Sequence, residues 1–164
     1  MSSNRLKLSP SLQERTGRIS NLSELYRYAK RRNYDTYAYD FGPEGIESLS
    51  VMQVADGKCY IAINPSRLLS AADELCKGLH EVGHCDRGAF YNEYAVCDVR
   101  QKQENKADKH AIELRLSADD LDQAVADGYT DIWSLSEYFG VTEEFMRKAV
   151  CWYTFGNLAA ELYF

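Results

Sequence analysis

The chain has 164 residues, 45% hydrophobic and 27% charged, enough for one compact domain with a small appendage and too few for two large ones. No apolar run approaches the roughly 18 residues of a bilayer span, and the opening MSSNRLKLSPSLQERTGR has no apolar core of a secretion signal, so a soluble, cytoplasmic protein is expected. The net charge is −6, yet residues 1–34 hold eight Lys/Arg against two Glu; a solvated helix face explains this basic start as well as an arm for nucleic acid or an acidic partner does.

Asn21 followed by Glu24 has the form of a capping box opening the helix LSELYRYAKRR, with Leu22, Leu25, Tyr26 and Ala29 on one face. The segment ahead of it reads as irregular. After Asn33 the period changes: TYAYDF, ESLSVMQV and KCYIAINP alternate or run apolar, with FGPEG and Asp56-Gly57 as turns, which predicts a three-stranded antiparallel sheet. Asn64-Pro65-Ser66 ends the last strand.

Ser70 with Asp73 then starts the helix AADELCKGLHEVGHC, whose Leu75, Leu79 and Val82 make a core-facing stripe. Residues 86–99 read as a loop, and a second helix runs from about Gln101 to Leu116 before Ser117 caps a short third one, ADDLDQAVA. From Tyr129 the pattern predicts two further helices, with Gly140 ending the first and Thr142 capping the second, in the manner of a helix-turn-helix. The five cysteines are scattered and contain no CxxC pair, so they read as reduced, small buried hydrophobes and not as a disulfide framework or a cysteine-only zinc knot.

The stretch LHEVGHCDRGAF holds two of the three histidines in the chain, four residues apart with a glutamate between them. On a helix such positions share a face, so His80 and His84 can both place an imidazole nitrogen on one metal ion. Glu81 points roughly 100° around from His80 and can hold a water on the metal without being a ligand. The plain alternative is a pair of half-buried helix histidines satisfied by hydrogen bonds; Gly83 beneath the site and the apolar opposite face favour metal.

A catalytic zinc usually has three protein ligands. A further histidine six residues after His84 is missing, because that position is Phe90. Cys76 lies one turn before His80, but ligands at i, i+4 and i+8 would span about 12 Å of straight helix. The next helix offers Glu104 and Asp108, four apart on one face: a carboxylate ligand, and a second carboxylate free to accept a hydrogen bond from a liganding imidazole. His110 points elsewhere, about 240° around from Glu104. Alone, Glu104 would read as an exposed acid among Lys102, Lys106 and Lys109.

The runs IAINPSRLL and LHEVGHCDRGAFY, followed by ENKADKHAIELRLS, resemble the ImmA/IrrE-type metallopeptidases, most closely the short forms encoded near phage and mobile-element repressors. The resemblance covers residues from about 20 to 150. It implies an α+β fold in which a small three-stranded sheet packs on a zincin-like HExxH helix and a second ligand-bearing helix, with a C-terminal helical hairpin. Residues 1–128 would form the metallopeptidase domain with its basic N-terminal helix, and 129–164 a helical subdomain packed on it. It further implies His80, His84 and Glu104 as Zn2+ ligands, Glu81 as general base and Asp108 in the polar position one turn on. Members are commonly read as cutting a partner repressor or regulator, so a helix-turn-helix repressor is the expected protein substrate. Lys106 departs from the usual second acid, His110 stands where an aromatic is typical, and Ser117 replaces a closing proline.

In the expected chemistry Glu81 takes a proton from a metal-activated water and passes it to the leaving amine, with substrate extended along the sheet edge. Tyr91 and Tyr94, in the loop after the motif, are candidates for contacting the oxyanion or substrate. Two other readings compete. One is a DNA-binding regulator using the helix pair 131–155, against which stand five acids and just Arg147 and Lys148 from Tyr129 onward. The other is a zinc-stabilised protein that titrates a repressor without cutting it.

Overall fold

The computed structural model describes residues 18–164. The irregular segment expected ahead of the first helix, with Arg5, Lys7 and Arg15 of the basic start, lies outside the described residues. The first helix, α1 (Leu22–Arg31), starts where Asn21 accepts a hydrogen bond from the Glu24 amide at 3.0 Å. Glu24 returns its carboxylate to the Ser20 amide, one residue short of a full capping box. Leu25 and Ala29 form its buried face.

Strands β1 (Asp35–Ala38), β2 (Ser48–Met52) and β3 (Cys59–Ile63) form one mixed sheet in the order β1-β3-β2. The expectation of an all-antiparallel meander is corrected: β1 runs parallel to β3, and β2 is antiparallel to it. The segment read as a tight turn at FGPEG is a longer crossover that leaves room for β3 between the first two strands. Asn64, fully buried at the end of β3, holds that crossover in place. Its side-chain amide donates to the carbonyls of Gly42 and Ile46, both at 2.9 Å, and its backbone N–H donates to Glu47. Cys59, Ile61 and Ile63 alternate inward from β3 and meet Leu75, Leu79 and Val82 of the long helix α2 (Ala71–Arg87).

Ser70 caps α2 by accepting from the Asp73 amide, and Gly88, at φ +57°, ends it in the left-handed conformation that glycine tolerates. Helix α3 (Cys97–Arg115) begins four residues earlier than the sequence pattern suggests, because its N-cap is Val96, which has no side chain able to signal the start. Helix α4 (Ala118–Ala126) opens on a reciprocal Ser117–Asp120 capping box. The hairpin of α5 (Ile132–Phe139) and α6 (Glu143–Phe155) is joined through Gly140 and the Thr142 cap. One apolar cluster runs from Ile19 and Leu25 through β3 and α2 to Leu135, Phe139 and Met146 of that hairpin. No helix among the described residues is long and apolar enough to cross a membrane.

Two cysteines depart from the expectation of free thiols. Cys59 of β3 and Cys85 of α2 form a disulfide, while Cys76, Cys97 and Cys151 are free. Alkylation of the denatured, unreduced protein is therefore expected to label three cysteines and to label five after reduction; five labels without reductant would contradict the pairing. Closing a 26-residue separation should contribute about 3 kcal/mol, seen as a lower midpoint in denaturant for the reduced protein.

Candidate metal centre

The site starts from the close passage of two helices. A Cβ on Gly83 of α2 would lie 2.4 Å from the Ala107 carbonyl oxygen of α3, so glycine alone permits this approach. It brings Glu104 and Asp108, which flank Ala107 on α3, against His80 and His84 of α2. His80 Nε2 and His84 Nε2 lie 3.0 Å apart, Glu104 Oε2 is 3.0 Å from His80 Nε2, and Glu104 Oε1 is 3.5 Å from His84 Nε2. Donors sharing a tetrahedral zinc at bond lengths near 2.1 Å sit about 3.4 Å apart, so this triad fits that ion with small adjustments.

The outer nitrogens fix which way the inner ones face. His84 Nδ1 lies 2.6 Å from the Ala89 carbonyl, and His80 Nδ1 lies 2.7 Å from Asp108 Oδ1. Both partners can accept but not donate, so each neutral ring carries its hydrogen on Nδ1 and turns a bare Nε2 lone pair inward. Two lone pairs and a carboxylate facing one another need a cation between them. Gly88 contributes here: its left-handed turn folds Ala89 back, so that Ala89 donates to the His84 carbonyl while accepting from the His84 ring.

In the metal-free protein a proton serves as that cation. Burial pushes the His80 pKa down, but the hydrogen bonds to Asp108 and Glu104 and the nearby charges outweigh it, and the pKa is pushed up to about 10. Those of Glu104 and Asp108 move the other way. The His80 hydrogen bond holds Glu104 well below the usual carboxylate range; burial raises Asp108, and its bond to His80 more than reverses that. Asp108 has a second partner at Oδ2, the Lys148 ammonium of α6, at 3.0 Å.

A cleft of about 700 Å³ opens over the triad. Ile46 to Ser50, leading into β2, form one wall, Glu104 and Asp108 another, and Thr142, Phe145 and Lys148 of the hairpin a third. Glu81 is buried in its floor, and Ser48 Oγ of β2 donates to Glu81 Oε1 at 2.6 Å. Tyr91 lines the cleft and donates to Glu104 Oε1 at 2.7 Å, which pushes its own pKa up to about 12. Tyr94 is 85% exposed and does not line the cleft, so the expectation for it is not met.

His80, Glu81, His84, Glu104, Asp108 and Tyr91 thus come together. Cys76 stands in the cleft wall, accepting weak hydrogen bonds from Thr142, and is not one of the converging donors. His110 faces away, its Nε2 donating to Asp86 at 2.7 Å while Arg87 donates to its Nδ1. Ser48 and Lys148 escaped the sequence reading: one looks like an ordinary strand residue, the other like a solvated helix charge. No family model, curated protein or solved structure matches this chain.

Zinc binding must expel the His80 proton, since both compete for the same lone pair. Calorimetric titration at pH 7 in buffers of different ionisation enthalpy is expected to report at least one proton released per zinc. The release from His80 should decline as pH passes about 10, where the metal-free ring has already lost the proton. Release well below one at pH 7 would contradict the raised His80 pKa.

Proposed function

We propose that the protein is a zinc-dependent endopeptidase whose substrate is a partner repressor or other regulatory protein. The observation that carries the reading is the buried Glu81 beside a three-donor centre, both facing one cleft with a strand edge along its wall. Three protein donors are the number usual in catalytic zinc sites, whereas structural sites tend to close with four. The resemblance of LHEVGHC and ENKADKH to the ImmA/IrrE-type metallopeptidases supplies the repressor as substrate class.

His80, His84 and Glu104 would hold the ion. Bound there, zinc supplies a Lewis acid that polarises a peptide carbonyl and lowers the pKa of a water towards 7. Glu81 accepts the proton of the attacking water and delivers it to the departing amine nitrogen. Ser48 fixes the carboxylate of Glu81 through its 2.6 Å hydrogen bond, leaving the other oxygen for the water. Among the described residues β2 pairs with β3 alone, so its outer edge can take an extended substrate segment by backbone hydrogen bonds. Tyr91 is placed to contact the substrate carbonyl region once its hydroxyl leaves Glu104.

The hairpin does not favour a DNA-reading role. The first turns of α6, where a recognition helix would enter a groove, place Glu144, Phe145 and Lys148 in the cleft wall.

The test is a survey of new protein N-termini in a proteome digest, followed by purified helix-turn-helix repressors. Zinc-loaded wild type should generate new termini that a chelator removes. Glu81→Gln should retain zinc and lose turnover by about 10²-fold or more. Ser48→Ala should retain zinc and lose about tenfold, the equivalent of one hydrogen bond to a charged group. Equal turnover by Glu81→Gln would overturn the catalytic assignment.

A further inference from the structure

Lys148 lies forty residues beyond Asp108, on the second helix of the C-terminal hairpin, yet its ammonium reaches Asp108 Oδ2 at 3.0 Å. Asp108 Oδ1 in turn accepts from His80 Nδ1 at 2.7 Å. We infer that Lys148 is a positioning residue of the metal centre, clamping Asp108 so that His80 keeps the ring orientation and tautomer that present Nε2 to the ion. The inference rests on the metal-centre reading and extends it to a helix that the motif does not include.

Three observations support a clamp over a chance surface pair. First, Asp108 is largely enclosed, with a side chain 18% exposed, so its two oxygens depend on the two partners they have. Second, Lys148 is itself two-thirds covered at 32% exposure, and its other ion pair, to Glu144 one turn earlier at 3.4 Å, is with a side chain 81% exposed and adds little, so Asp108 is its principal partner. Burial lowers the pKa of Lys148, and the Asp108 charge raises it by more, so it stays an ammonium. Third, the hairpin is fastened to both ligand-bearing helices. Thr142 donates to Cys76 on α2, one turn before His80; Arg115 of α3 donates to the Phe139 carbonyl; and Lys109 of α3 sits 4.7 Å from the centre of the Trp152 ring. Lys148 therefore projects from a fixed platform.

The sign of the effect separates positioning from mere charge. A lysine that only added positive charge near the site would repel a dication, so removing it would tighten metal binding. A lysine that holds Asp108 in place predicts the opposite. Outer partners of liganding histidines typically carry 10- to 100-fold in metal affinity, and one position further out the lower end of that range is expected.

The experiment measures zinc affinity of the full chain by competition with a chromophoric chelator, for wild type, Lys148→Met, Lys148→Arg and Glu144→Gln. Cobalt(II) spectra of the same proteins serve as the geometric readout, and melting of the metal-free forms separates folding from binding. Lys148→Met is expected to bind zinc about tenfold more weakly and to shift the cobalt ligand-field bands at unchanged metal-free stability. Lys148→Arg should restore both, and Glu144→Gln should bind like wild type. Unchanged or tighter zinc binding by Lys148→Met, with an unchanged cobalt spectrum, would overturn the inference while leaving the metal centre intact. Should Lys148→Met fail to fold, the arginine variant decides: normal folding with tenfold weaker zinc would contradict a clamp that either cation can supply. A wild-type chain that binds no zinc would overturn the underlying reading instead.

Discussion

At Gly83 the backbone of α2 passes so close to Ala107 of α3 that no side chain fits between them. The proposed metal centre depends on that contact. Four side chains of the site lie within one turn of it, His80 and His84 on one helix and Glu104 and Asp108 on the other. The imidazole of His80 reaches both carboxylates only because the two helix surfaces are pressed together there. The surrounding core serves the same end. β3 and the Cys59–Cys85 bond hold α2 from one side, α1 covers its other flank through Leu25 against Gly78, and the hairpin braces α3.

The electrostatics follow from this crowding. Carboxylates brought against imidazoles in a half-enclosed cleft become harder to protonate, and the imidazole between them becomes harder to deprotonate. Such a site is poised for a cation and not for neutrality. Further hydrogen bonds orient the site from outside the triad: the Ala89 carbonyl on His84, Asp108 on His80, Tyr91 on Glu104 and Ser48 on Glu81. Each removes one freedom of rotation from a group that has to face the cleft.

Much of the site was legible in the sequence because helical periodicity is a local rule. Spacing of four puts His80 with His84 and Glu104 with Asp108, and caps such as Ser70, Ser117 and Thr142 state where helices begin. Strand pairing was not legible, since turn residues show where the chain reverses and not which strand it returns to. The parallel β1–β3 pair is set by the crossover that Asn64 anchors. Contacts between distant segments were equally silent. Ser48 meets Glu81 across 33 residues, and Cys59 meets Cys85 across 26, with no local pattern to announce either. Tyr94 was drawn in by closeness along the chain, while the loop from Gly88 turns Tyr91 to the cleft and Tyr94 to solvent.

The most direct test is metal stoichiometry by plasma mass spectrometry on wild type beside Glu104→Ala, both purified without added metal and again after zinc is restored. About one zinc per chain in the wild type, largely lost in the variant while its helical content is retained, is the result expected of a centre that needs all three donors. Equal zinc in both proteins would remove Glu104 from the centre, and a wild type that holds no zinc after restoration would contradict the account at its root.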